Sequence, residues 1–205
     1  VLPYTLEIFR DVTSSHRYAG SVVDKLLFSI KPNQDLRCVA GFISKTSSIV
    51  AKSTASFPGS SADPFTFDTC SISIGGTGSA LIEDLNITVM DNQLDGISTL
   101  NASSEISRIR RKGPQLVRMS GVIGFDDLTE YNNFVNQTEQ RFVVSMFKAS
   151  SFSLVIDMPR VVYTSFPLGM GGRDRQAVSF DAICRYSTGS GRAIQVDLTN
   201  TKSNY

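Results

Sequence analysis

The sequence predicts a mainly β protein, a β-sandwich or half-barrel of about ten or eleven short strands with one flanking helix. Three observations lead there. Short runs with alternating apolar and polar residues, rich in Val, Ile, Thr and Phe, recur along the chain between clusters of Gly, Ser, Asn and Asp. A single segment, from Asp126 to about Asn136, has the spacing of an amphipathic helix. Hydrophobic residues make up 41% of the 205, enough for a packed core, and 15 glycines supply turns.

Taken in order, residues 4–9 alternate as a strand, and the polar stretch 11–17 follows. Strands over 22–30 and 37–43 are joined by Lys31-Pro32-Asn33-Gln34-Asp35. Residues 46–64, rich in Ser, Ala and Pro, read as a loop. Residues 67–74 read as a strand and Gly75-Gly76-Thr77-Gly78 as a hairpin turn. In the strand over 81–90, Leu85, Ile87 and Val89 share one face and Asn86 and Thr88 the other. A long inserted polar loop spans about 91–113. Strands follow over 116–125, 141–148, 152–158 and 161–164. After a loop at 166–174 that includes the turn Gly169-Met170-Gly171-Gly172, strands close the chain over 177–186 and 193–198.

The helix should begin at Asp126, whose carboxylate suits an N-cap, with Glu130 near the first turn. Leu128, Tyr131, Phe134 and Val135 fall on one face and should pack it on the sheet. Asn136-Gln137-Thr138 ends it.

Residues 22–30 align without gaps on 81–89, VVDKLLFSI against LIEDLNITV, and in the same register Asn33-Gln34 falls on Asn92-Gln93. Each copy leads to a strand with a small-Gly-apolar pattern, Ala40-Gly41-Phe42 in one and Ser120-Gly121-Val122 in the other. This echo reads as a duplicated hairpin. The second connection is longer, and it carries the chain's one basic cluster: Arg108, Arg110, Arg111 and Lys112. No aromatic residues interleave with it and no helix presents it, which argues against a nucleic-acid site.

The formal charge is +1, so the whole molecule has no field to draw it to nucleic acid or an acidic membrane. The three cysteines, Cys38, Cys70 and Cys184, cannot all pair within one chain and each sits in an apolar stretch. They read as buried free thiols, suited to a reducing compartment. His16, in a polar stretch, has no Cys or acid cluster beside it, so neither nucleophilic catalysis nor a metal site finds its residues. Neither glycine cluster has the GK[ST] ending of a phosphate loop. The expectation is no enzyme and no cofactor. No apolar run approaches the ~20 residues of a membrane-spanning helix. Residues 1–205 read as one domain, with further residues expected before Val1.

The segment 117–159 carries a resemblance. A strand ending Ser120-Gly121-Val122-Ile123-Gly124-Phe125 runs into the helix Asp126-Asp127-Leu128-Thr129-Glu130-Tyr131-Asn132-Asn133-Phe134, then Asn136-Gln137-Thr138-Glu139. After these come Met158-Pro159-Arg160-Val161-Val162-Tyr163 and Ser179-Phe180-Asp181-Ala182. In order and spacing these pieces resemble the tail tube (major tail) proteins of long-tailed, siphovirus-type bacteriophages. The resemblance covers residues 80–200 well and 1–60 more loosely.

The resemblance implies a structural virion protein whose rings, hexameric by resemblance, stack head to tail into the hollow tail tube that conducts the genome into the host. It implies assembly in the bacterial cytoplasm and contacts with tape measure, tail terminator and distal tail proteins. DNA would be only passing, non-specific cargo, and no membrane anchor is expected. The loop bearing Arg108, Arg110, Arg111 and Lys112 would reach the adjacent ring, and Asn86 and Thr88 become candidates for the tube lumen. Two alternatives stay open: a related ring or tube protein of a contractile injection system or tail terminator, and a monomeric immunoglobulin-like binding or adhesion module.

Overall fold

Alternation along a strand buries every second side chain, so sheets with one apolar face dictate how this chain packs. A computed structural model describes residues 3–9, 13–54, 64–79, 81–90, 93–100, 104–149, 152–168 and 176–200. Among the described residues the strands run β1 (Tyr4–Phe9), β2 (Ser14–Ile30), β3 (Arg37–Ile43), β4 (Thr46–Ala51), β5 (Cys70–Ile74), β6 (Thr77–Ser79) and β7 (Ile82–Met90). They continue as β8 (Leu94–Ile97), β9 (Arg108–Arg111), β10 (Leu116–Gly124), β11 (Gln140–Ala149), β12 (Phe152–Ser165), β13 (Ala177–Cys184) and β14 (Gln195–Thr199). Among the described residues the one α-helix, α1 (Thr129–Val135), lies between β10 and β11, and a 3₁₀ turn (Phe67–Thr69) precedes β5. The chain is mainly β with a large antiparallel sheet, as the alternation predicts.

The fold divides into two compact units. The first takes Val1–Leu26, Val39–Asp63 and Val89–Gln115. In it β1 and β4 both pair antiparallel with the first part of β2, one on each side. Its described residues bury little: Val22 is its buried hydrophobic side chain, with Ser15 and Ser21 as buried polar ones. Tyr4, Ile8, Val39, Phe42 and Ile49 are exposed.

The second unit takes Leu27–Cys38, Pro64–Thr88 and Leu116–Tyr205 and holds the main core. Its sheet order is β7-β10-β13-β12-β11-β5-β6, with β14 also paired to β12. In β13, Val178, Phe180 and Ala182 are buried while Ala177, Ser179 and Asp181 are exposed. Val117, Met119 and Ile123 of β10 and Phe142, Val144 and Met146 of β11 face the same core. On β7, Leu85 and Ile87 are sealed, at 1% and 0% exposure.

β12 changes partners along its length. Residues 153–157 lie beside β14, and 161–165 lie beside β13. Between the pairs Gln140↔Val161 and Phe142↔Met158, β12 holds one residue more than β11. That is a β-bulge at Pro159-Arg160, where a proline without an N–H is tolerated. The bulge shifts the alternation by one, so Ile156 and Met158 before it and Val161 and Tyr163 after it are all buried.

Several expectations from sequence are corrected. The expected break between 158 and 161 is this bulge inside one continuous strand. The stretch 11–17 is not all loop, and His16 lies on β2, because pairing on both edges recruits Ser14 to Arg17 despite their polarity. The expected loop over 46–64 contains β4, whose Ile49 and Val50 suit a strand. Within 91–113, β8 and β9 form a two-stranded hairpin. Gly75 and Gly76 turn between β5 and β6 with φ of 60° and 88°, a left-handed conformation that favours glycine. The glycine cluster at 169–172 lies outside the described residues.

The two copies of the internal echo share one register. A Cβ added to Gly41 would meet the Lys25 Cβ at 3.4 Å, and one added to Gly121 would meet Asp84. Lys25 and Asp84 are the residues that the gap-free alignment superposes. At Gly41 the approach is an ordinary contact. At Gly121 the Cβ would sit far inside contact distance of the Asp84 carbonyl oxygen and 3.1 Å from the Phe180 ring. Gly121→Ala should therefore cost about 1–3 kcal/mol of stability by overpacking, whereas Gly41→Ala should change it little. Equilibrium urea unfolding of both variants checks this, and equal stability would remove the close approach.

Candidate assembly surfaces

The helix is placed by an aromatic cluster. Tyr131 and Phe134 are half-buried, with ring centroids 6.5 and 6.3 Å from Phe166. Phe166 lies edge-on to Tyr163 at 5.5 Å, and Tyr163 packs edge-on against Phe142 at 6.1 Å and Phe180 at 5.4 Å. The Tyr163 hydroxyl, buried under this cluster, donates to Glu130 Oε2 at 2.7 Å. Burial, and then the Glu130 carboxylate, push its pKa above the ordinary tyrosine value.

Both helix ends differ from expectation. The N-terminal bond comes from Asp127, not Asp126: its Oδ1 accepts the Thr129 N–H at 2.7 Å, which holds the carboxyl below its usual range. At the C-terminus Gln137 takes a φ of 52°. The Thr138 N–H reaches the Asn133 carbonyl and the Gln137 N–H the Phe134 carbonyl, a Schellman closure. The expected apolar stripe is narrower. Leu128 and Val135 are each 56% exposed. Leu128 precedes the first turn, and in so short a helix one i, i+3 pair, Tyr131 and Phe134, reaches the sheet.

Two arginine–carboxylate clusters flank the bulge, and sequence reading missed both. Asp157 receives Arg141 Nε at 2.8 Å and Arg192 Nη2 at 3.0 Å. Burial alone would raise its pKa, but the two guanidiniums outweigh this and hold it below the ordinary value. Glu139 receives Arg160 Nε and Nη2 at 2.7 and 2.6 Å, a bidentate pair, and Arg185 at 3.4 Å. The available signal was a lone aspartate inside the apolar run Leu154 to Tyr163.

The sheet face of β7, β10 and β13 turned from the core carries short polar groups. Asn86 and Thr88 are half-buried there, with Asn86 Nδ2 donating to Asp84 Oδ1 at 3.2 Å. Ser120 pairs across the strands with Asp181, and Val122 with Ser179. Arg118 is the cation that β10 adds.

The basic residues sit on a built hairpin. Asp95 lies opposite Arg110 and Ile97 opposite Arg108. Its base is fixed by the Leu94 N–H to Asp24 Oδ1 at 3.0 Å and the Lys112 N–H to the Gln93 carbonyl at 2.6 Å. Thr99 and Ser107 hydroxyls bond near the tip at 2.7 Å. Arg108, Arg110, Arg111 and Lys112 are exposed. Of the cysteines, Cys184 is buried and Cys70 half-buried, their thiols pushed up by burial to about 12 and about 11. Cys38, expected in the core, is exposed.

These features define a sheet protein with a largely polar outer face, an exposed basic hairpin and one buried carboxylate locked by arginines. A family model described as phage tail tube protein matches residues 3–186, and the chain belongs to that family. No curated protein matches it. The membership makes it a structural component of the phage tail and separates it from the immunoglobulin-like module. Among the described residues, no helix is long and apolar enough to cross a membrane.

Glu130→Ala should leave the Tyr163 hydroxyl without its acceptor and cost about 1–3 kcal/mol, and adding Tyr163→Phe should recover part of the loss. A double-mutant cycle by urea unfolding measures this, and additive effects would mean that the bond carries nothing. The Asp157 contribution has a defined pH sense. Its folded pKa is depressed, so the stabilisation is present above the ordinary carboxylate value of about 4 and is lost as pH falls through the folded value. Thermal melts between neutral pH and the acid limit should therefore show a smaller acid-side loss in Asp157→Asn than in the native protein.

Proposed function

We propose that this protein assembles with its own copies into rings, hexameric as in the proteins it resembles, which stack head to tail into the hollow tail tube that conducts the phage genome into the host. The observation that carries this is the family match over residues 3–186. That match spans both compact units, and we take them to work together as one tube subunit.

The geometry supports the reading at three places. β6, three residues long, and β14, with Val196 and Leu198 exposed, offer strand edges that a neighbouring copy can pair and cover. The first unit exposes Tyr4, Ile8, Val39, Phe42 and Ile49 around a small core, apolar surface suited to burial between copies. The β8–β9 hairpin presents Arg108, Arg110, Arg111 and Lys112 as an arm toward the next ring, where guanidiniums make bidentate bonds to carboxylates.

In this reading Asn86 and Thr88 face the lumen together with Ser120, Ser179 and Asp181. Short neutral and acidic groups dominate that face, where Arg118 is the one cation among the described residues of β7, β10 and β13, so a polyanion finds little cationic foothold. The tube would be built in the host cytoplasm and meet tape measure, tail terminator and distal tail proteins. Its role is structural, without catalysis.

Negative-stain microscopy of the purified protein tests the proposal: long hollow tubes of uniform width are expected, and a protein that stays monomeric at high concentration would contradict it. The lumen assignment has its own test. Asn86→Lys with Thr88→Lys should still assemble, yet retain DNA and slow genome ejection, most visibly at low salt, because each phosphate contact adds salt-dependent affinity. Ejection at the native rate would move β7 away from the bore.

A further inference from the structure

The first unit's three-stranded sheet, β1-β2-β4, has two unlike faces. Strand neighbours alternate, so Glu7, Phe9, Ser15, Arg17 and Val50 share one of them. Residues just past β4 lie over that face. Lys52 Nζ stands 3.9 Å from the centroid of the Phe9 ring, and Ser53 donates to Glu7 from its N–H and its hydroxyl at 2.9 and 2.8 Å. Ser15 on this face is 0% exposed.

The opposite face exposes a row that crosses all three strands. Ile8 of β1 lies opposite His16 of β2, and His16 lies opposite Ile49 of β4. Ile8 is 43% and Ile49 70% exposed, and His16 between them is exposed too. The side chains next to it on this face are Ser14 and Tyr18 on its own strand, Leu6 on β1, and Ser47 and Ala51 on β4. Among these described neighbours the Tyr18 phenol is the one titratable group and none is charged, so none offers a carboxylate to hold a proton on the imidazole.

His16 is the chain's one histidine. Histidine is the side-chain type that ordinarily changes charge between about pH 5 and pH 8. Burial pushes the thiols of Cys38, Cys70 and Cys184 further above that window, and carboxylates ordinarily titrate below it, at about 4. The window thus belongs to one side chain, at the centre of the exposed row.

We propose that this row is buried against a second copy of the chain and that protonation of His16 opposes the contact, so that assembly weakens as pH falls from about 8 to about 5.5. The proposal rests on the tube reading above, which places the first unit's apolar surface between copies, and it adds the regulation of that surface. A second copy is the occupant because a tail tube family implies self-assembly, and because an aliphatic row of this kind offers no fixed cation to the phosphates of a nucleic acid or a lipid surface. A charged imidazole that leaves water for an aliphatic contact carries a desolvation penalty, and the neutral ring carries far less. The free subunit therefore binds more protons than the assembled one, and acid favours the free form. Each subunit that joins buries one His16, so in the limit the concentration needed for assembly rises about tenfold per pH unit once the free ring is charged.

The test uses four full-length chains: the native protein, His16→Gln, His16→Lys and Ile49→Lys. Thermal melts of dilute samples establish that each is folded, and sedimentation gives the concentration needed for assembly at pH of about 8 and about 5.5, at one ionic strength. For the native protein that concentration should rise by at least about tenfold in acid. His16→Gln should assemble alike at both pH values. His16→Lys and Ile49→Lys should need at least about tenfold more protein than the native chain at the higher pH, since each sets a permanent charge in the row. A native threshold that stays level or falls in acid, a pH dependence that His16→Gln retains, or an Ile49→Lys chain that assembles like the native protein would overturn the proposal. If native tubes form with a threshold independent of pH, this inference fails and the tube reading stands. If the native protein forms only small oligomers, which dissociate in acid and do not when His16 is glutamine, the inference stands and the tube reading fails. A native protein monomeric at every pH and concentration overturns both.

Discussion

The bulge at Pro159 and Arg160 is the constraint on which the second unit depends. Strand residues alternate, so one extra residue moves every later side chain to the other face. Because β12 carries that residue, Ile156 and Met158 below it and Val161 and Tyr163 above it all enter the core. Without it Tyr163 would turn outward, and α1 would lose both its aromatic contacts and the bond to Glu130. The same point lets β12 exchange β14 for β13 as its neighbour, which is how one strand serves two parts of a folded sheet. The two arginine–carboxylate clusters stand on either side of this exchange. Asp157, 6% exposed, is locked by cations from β11 and from the segment leading into β14.

The two units place different demands on assembly. The second holds most of the buried side chains in a core of its own. The first is short of buried apolar residues, and its sheet leaves aliphatic and aromatic side chains in water. In the proposed tube such surface would be covered, because burial between copies supplies what the first unit's own core lacks. A net charge of +1 fits the same economy, since copies with little field approach without long-range repulsion.

The sheet was legible where alternation was strict. Leu85 and Ile87 against Asn86 and Thr88, and Val178, Phe180 and Ala182 against their neighbours, needed only the period of two. It was illegible where pairing overrode composition. Ser14 to Arg17 and Thr46 to Ala51 are polar enough to read as loop, yet each finds partners across the first unit's sheet. Proline at 159 read as a break because sequence does not show that the missing N–H falls on a bulge. The helix was placed to within three residues, but Leu128 and Val135 lie off the docking face, a distinction that depends on where the first turn begins. Glu130 was seen near the first turn, and only the fold brings Tyr163 to it from 33 residues away. The basic cluster was legible as residues and not as geometry, since the hairpin that carries it is held by backbone bonds to Asp24 and Gln93.

Cryo-electron microscopy of the assembled protein is the most direct measurement of the central claim. The account predicts a hollow helical tube in which β7 borders the bore, the first unit's exposed apolar residues are covered by neighbouring copies, and the β8–β9 hairpin crosses from one ring to the next. Solid or sheet-like assemblies, or a tube with the hairpin on its outer wall and β7 away from the bore, would contradict it.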